Sequence, residues 1–134
     1  MDRTLMKDLI EWKNRKKKKP LILRGARQVG KTWLLKEFGK NNYESVAYFN
    51  FDKNEKLGNI FKNTKDTGRI LEQLVLVNGK KIEKGTTLII FDEIQECPNA
   101  LNSLKYFCEE APEYHIVSAG SLLGIFLHKD HGTI

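Results

Sequence analysis

Leu21-Ile22-Leu23-Arg24-Gly25-Ala26-Arg27-Gln28-Val29-Gly30-Lys31-Thr32-Trp33-Leu34-Leu35 is the stretch that decides the fold. An apolar triplet, a loop bounded by glycines and a segment with helical apolar spacing follow one another without a gap. Gly25 to Thr32 fits the pattern G-x-x-x-x-G-K-[ST]. Glycines let the backbone curl so that successive N–H groups point inward, which suits phosphate oxygens. A helix beginning at the same point adds its orphan donors and the positive end of its dipole. Lys31 supplies a full positive charge for the β- and γ-phosphates, and the Thr32 hydroxyl is a hard oxygen ligand suited to Mg²⁺. The stretch predicts a site for ATP with Mg²⁺, its nucleotide-binding residues being Gly25, Ala26, Arg27, Gln28, Val29, Gly30, Lys31, Thr32 and Trp33. Arg27 and Gln28 lie within the loop, where they face either the phosphates or solvent.

The rest of the chain alternates between strand and helix signals. Upstream, Leu5, Leu9 and Trp12 predict an amphipathic helix from Met1 to about Lys18, and Pro20 forbids its continuation. Downstream, Trp33, Leu34, Leu35 and Phe38 predict a helix that stops near Gly39. Ser45 to Phe51 reads as a strand rich in aromatic and β-branched residues, and Asp52 to Asp66 as a polar loop with room for one helical turn. Ile70, Leu71, Leu74 and Val75 mark a helix that Asn78-Gly79 ends. Leu88-Ile89-Ile90-Phe91 is a continuous apolar run, as in a strand buried on both faces. Leu101, Leu104, Cys108 and Ala111 give a helix closed by Pro112, Ile116-Val117 a last strand, and residues 122–127 the start of a further helix. Such alternation predicts a three-layer α/β fold, with a parallel sheet between helices and a single domain over residues 1–134.

The run Leu88 to Phe91 delivers Asp92-Glu93 at its carboxyl end, the edge where ligands of such sheets bind. Asp92 is placed to hold Mg²⁺ through water, and Glu93 to orient or deprotonate an attacking water. The strand through Ile116-Val117 ends in small polar residues, and Ser121, before Ser118, is the first choice for sensing the γ-phosphate. The catalytic candidates are therefore Glu93, Lys31 and Ser121, and the metal candidates Thr32 and Asp92. His128 and His131 flank Asp130 without a cysteine nearby, which favours surface residues over a metal site.

Charge is unevenly placed along the 134 residues. Residues 1–40 hold thirteen Lys or Arg against four acids, while the remainder holds ten against thirteen. The basic excess thus surrounds the phosphate loop, and the run Arg15-Lys16-Lys17-Lys18-Lys19 could equally attract nucleic acid. No stretch approaches the roughly 18 apolar residues of a membrane span. No apolar segment follows the basic amino-terminal region as in a secretory signal. Two cysteines, Cys97 and Cys108, then suit free thiols in a cytoplasmic protein.

The phosphate loop Gly25-Ala26-Arg27-Gln28-Val29-Gly30-Lys31-Thr32 resembles that of a family of prokaryotic AAA+-type P-loop ATPases, whose loop commonly reads GARQVGKT. Trp12-Lys13 before a Lys-rich stretch, Phe49-Asn50-Phe51-Asp52, Phe91-Asp92-Glu93-Ile94-Gln95 and Ala119-Gly120-Ser121 match further, in the family's order. The resemblance implies a sheet of order 5-1-4-3-2, with Lys31 and Thr32 as Walker A, Asp92 and Glu93 as Walker B, and Ser121 near sensor 1. It also implies a fifth strand, a lid and a carboxyl-terminal domain of unknown function beyond Ile134, so that the chain reads as an ATPase core truncated before them. The expected function is ATP binding and Mg-dependent hydrolysis driving a conformational switch, slow in the isolated chain. An exposed sheet edge would invite self-association. Nucleotide-gated nucleic-acid binding is the alternative, and a small-molecule or nucleotide kinase a third reading.

Overall fold

The computed structural model describes residues 3–15, 21–25, 31–121 and 132–133. Its strands are β1 (Leu21–Gly25), β2 (Ser45–Asn50), β3 (Thr87–Asp92), β4 (His115–Ser121) and β5 (Gly132–Thr133). All pair in parallel in the order β2-β3-β4-β1-β5, the order that the resemblance implies. The helices are α1 (Arg3–Lys13), α2 (Lys31–Asn42), α3 (Glu55–Asn63), α4 (Thr67–Asn78) and α5 (Pro98–Glu110).

Strand side chains alternate between two apolar clusters, because successive Cβ atoms leave a strand on opposite faces. Leu21, Leu23, Leu88, Ile90, Val117 and Ala119 pack with Leu9 and Trp12 of α1 and with Leu34, Leu35 and Phe38 of α2. Ile22, Ala47, Phe49, Ile89, Phe91 and Ile116 pack on the other face with apolar residues of α3, α4 and α5. The sheet is therefore the middle of three layers. β3 is buried along its whole length, which explains why it reads as an unbroken apolar run.

Three local features differ from the sequence reading. The segment read as a polar loop contains α3, nine residues long. Asn54 caps it by accepting from the Leu57 N–H at 3.0 Å. Leu57 and Phe61 bury one stripe, and the Phe61 ring stands edge-on to Phe91 at 5.7 Å. The mostly polar flanks hid this narrow stripe.

Second, α2 runs through Gly39 to Asn42 rather than stopping there. Gly39 is buried against the sheet, and a Cβ built on it would lie 2.5 Å from Val46 Cγ2 and 3.0 Å from Leu88 Cδ2. This glycine permits a close helix–sheet approach and is not a stop signal. The stop signal read at Asn78-Gly79 does hold, since Gly79 takes the left-handed conformation (φ 75°) and returns its N–H to Val75.

Third, a fifth strand lies within the chain. Gly132 and Thr133 pair with Leu21 and Ile22, so the outer edge of β1 is covered over that part of its length. Two residues in the polar run His128 to Thr133 carry no strand periodicity of their own, and their pairing comes from the edge of β1. The helix read at residues 122–127 and the pair His128 and His131 lie outside the described residues.

Candidate functional site

Parallel pairing brings all the strand carboxyl ends to one edge. Gly25 pairs with Ser121, Ser118 with Phe91, and Asn50 with Asp92. The loop candidates Ala26, Arg27, Gln28, Val29 and Gly30 lie outside the described residues. Their two anchors are placed: Gly25 ends β1 and Lys31 begins α2. A strand before the motif and a helix from its lysine onward are the context that makes a G-x-x-x-x-G-K-[ST] match meaningful.

The next residue ties the two motifs together. Thr32 Oγ1 donates to Asp92 Oδ2 at 2.6 Å, across sixty positions of sequence. Asp92 is 7% exposed, and a carboxylate so buried needs donors. Besides Thr32 it has the Tyr48 hydroxyl on Oδ2 at 2.5 Å and the Glu93 backbone N–H on Oδ1 at 2.9 Å. The Asp92 backbone carbonyl accepts from the Phe51 N–H at 3.0 Å, which fixes the strand end as well.

Tyr48 is the member of this group that sequence reasoning missed. Strand alternation was the available signal, for Tyr48 lies opposite Ile90 in the register, on the face that carries α2. Burial, and then the Asp92 carboxylate, raise its phenol far above the ordinary value, so it is a hydrogen-bond donor throughout the neutral range. Lys36 Nζ of α2 sits 4.0 Å from the Tyr48 ring centroid, a cation–π contact.

Glu93 leaves the strand in the left-handed region, with φ 54° and ψ 42°. A non-glycine residue there carries strain, and Lys53 (φ 52°) is the other described non-glycine residue in this region. The Glu93 carboxylate accepts from Gln95 Nε2 at 3.5 Å, within the single 3₁₀ turn Ile94–Glu96 and its lead-in.

Trp33 follows Thr32 on α2 and is 51% exposed, so a large aromatic stands in solvent beside the loop. Ser121 is described as the last residue of β4, beside Gly25. Ser118 is fully buried on the Ile116 side, in the layer opposite α2, and its hydroxyl has no hydrogen-bond partner among the described residues. The structure thus brings the start of α2, Asp92, Glu93 and the Ser121 position to one edge, while Ser118, paired with Phe91, is buried on the opposite face of the sheet. Of the basic run, only Arg15 is described, exposed just past α1.

Among the described residues no three His, Cys, Asp or Glu side chains gather as a metal cage. Thr32 and Asp92 fit Mg²⁺ in a different way, because that ion commonly takes one or two protein oxygens and completes its shell with phosphates and water.

The profile of the AAA domain family matches residues 17–133, nearly the whole chain. The chain belongs to the AAA+ P-loop ATPases. No curated protein matches its sequence. Among solved structures, PCH-2 of C. elegans superposes with a TM-score of 0.52 at 14% identity, over 89% of this chain and 37% of that one. The Thermotoga maritima RuvB Holliday junction branch migration motor gives 0.51 at 18% identity, over 90% of this chain and 38% of that one. At these identities the likeness is one of fold, and the chain spans under two fifths of either neighbour's length. Family membership and fold together support nucleotide binding and an ATPase type of function in general terms. No described helix is long and apolar enough to cross a membrane.

Proposed function

We propose that this AAA+ core binds ATP with Mg²⁺ at the carboxyl edge of its sheet and hydrolyses it to drive a conformational switch. The observation that carries the proposal is the Thr32–Asp92 hydrogen bond, which sets the hydroxyl of one motif against the acid of the other. Gly25 to Thr32 cradle the phosphates with backbone N–H groups, Lys31 neutralises the β- and γ-phosphates, and Trp33 flanks the nucleotide. Thr32 and Asp92 hold Mg²⁺, which when bound draws charge from the phosphate oxygens. Glu93 orients a water for attack on the γ-phosphorus. The new P–O bond forms as the bond to ADP breaks, and the water's proton passes to the Glu93 carboxylate. Ser121 registers the γ-phosphate. A cytoplasmic setting, where Cys97 and Cys108 would stay reduced, is part of the same proposal.

Glu93→Gln tests the assignment, because it keeps the shape of the side chain and removes the base. The variant is expected to bind ATP as the parent does and to lose at least about 100-fold in turnover, the ordinary contribution of a positioned base. Equal turnover by parent and variant contradicts the role of Glu93.

A further inference from the structure

The Asp92 carboxylate has one donor more than the two sequence motifs account for. Oδ2 accepts from both Thr32 and Tyr48, and Oδ1 from the Glu93 N–H. Thr32 belongs to the phosphate loop's helix and Glu93 to the turn after β3, whereas Tyr48 comes from β2, a strand with no part in either motif. Its reach follows from register. Tyr48 pairs with Ile90, two residues before Asp92, so both side chains leave the sheet on the α2 face and the phenol extends diagonally along the neighbouring strand. Lys36, one turn beyond Thr32, covers the other side of the ring at 4.0 Å. A positive charge there favours a phenol that donates its proton outward. The four side chains Lys36, Tyr48, Asp92 and Thr32 form a closed circuit joining α2, β2 and β3.

This circuit has a consequence for the cation. A carboxylate with donors on both oxygens cannot rotate freely about its Cβ–Cγ bond, and the hydrogen of Thr32 is committed to Asp92. The lone pairs of Thr32 Oγ1 are thereby left facing away from the acid, ready to accept a metal ion. We infer that Tyr48 is a positioning residue for Mg²⁺, acting through Asp92 rather than touching the ion or the nucleotide. The inference rests on the proposed metal-holding role of Thr32 and Asp92 and adds to it a residue from β2. Groups that orient a metal-holding carboxylate typically change metal affinity by about 10-fold or more when removed.

Tyr48→Phe tests this, since it keeps the ring under Lys36 and removes one hydroxyl. The probe is a fluorescent, non-hydrolysable ATP analogue, titrated first in EDTA and then at fixed concentration against Mg²⁺. The expected result is unchanged affinity in EDTA and a Mg²⁺ midpoint raised about 10-fold. An unchanged Mg²⁺ midpoint, with the analogue still bound, overturns the role of Tyr48 alone and leaves the site reading standing. Failure of the parent chain to bind the analogue overturns the site reading and this inference with it.

A second measurement needs no variant. With ¹³C at tyrosine Cζ, adding Mg²⁺ to the complex of the parent chain with the analogue is expected to shift the Tyr48 resonance. Tyr43, whose hydroxyl meets His115 Nδ1 at the start of β4, serves as the stationary reference. A Tyr48 resonance as still as that of Tyr43 contradicts the inference.

Discussion

Thr32 at the start of α2 and Asp92 at the end of β3 are joined by a hydrogen bond of 2.6 Å, which holds the two halves of the proposed nucleotide site in register. Thr32→Val keeps the side-chain shape and removes the donor. The folded chain is expected to lose about 1 kcal/mol, the ordinary net worth of one hydrogen bond, because Tyr48 and the Glu93 N–H still serve Asp92. ATP affinity in EDTA stays near that of the parent, while the gain on adding Mg²⁺ disappears. Isothermal titration with and without Mg²⁺ reads both quantities, and a preserved Mg²⁺ effect contradicts the role of the hydroxyl.

Gly39→Ala is expected to destabilise the chain although alanine is the better helix former. The substitution gains about 1 kcal/mol of helix propensity at an interior position. Against that, the new methyl group lies 2.5 Å from Val46 Cγ2 and 3.0 Å from Leu88 Cδ2. Overpacking of this kind costs roughly 1–3 kcal/mol, so the net effect is a loss on the order of 1 kcal/mol. Urea unfolding measures it, and a stabilised variant shows that α2 can move away from the sheet freely.

Trp33 provides an optical reading of the site. It is 51% exposed, one residue past Thr32, whereas Trp12 is 3% exposed in the layer between α1 and the sheet. ATP binding is expected to change the emission of Trp33 and to leave that of Trp12 as it was. Trp33→Phe should abolish the nucleotide-dependent change while thermal unfolding still detects binding. A full signal in that variant places the nucleotide's effect elsewhere.

The strands and the main motifs were legible because burial and chemistry coincide there. Leu88 to Phe91 lies on an inner strand with a helix layer on each face, so each position had to be apolar, and Asp92 stood out as the first polar residue. Features set by contacts between distant segments were harder to read. Gly39 looks like a helix stop until Val46 and Leu88 are placed against it. The stripe of α3 is only Leu57, Ile60 and Phe61 among polar neighbours, and its stability comes from packing onto Phe51 and Phe91. Tyr48 reads as one more aromatic in a strand, and its tie to Asp92 exists only once β2 pairs with β3. The pairing of Gly132 and Thr133 beside β1 likewise depends on an edge that local sequence does not describe.

Ligand-induced stabilisation, compared between the parent chain and Lys31→Ala, tests the central claim most directly. A ligand that binds only the folded state at 100 times its Kd stabilises it by about 2.7 kcal/mol. For a domain of this size that corresponds to a rise in Tm on the order of 10 °C. The parent with Mg-ATP is expected to show that rise. Lys31→Ala should lose most of it while its unliganded Tm stays close to the parent's. An equal rise in the variant, or none in the parent, contradicts nucleotide binding through this loop.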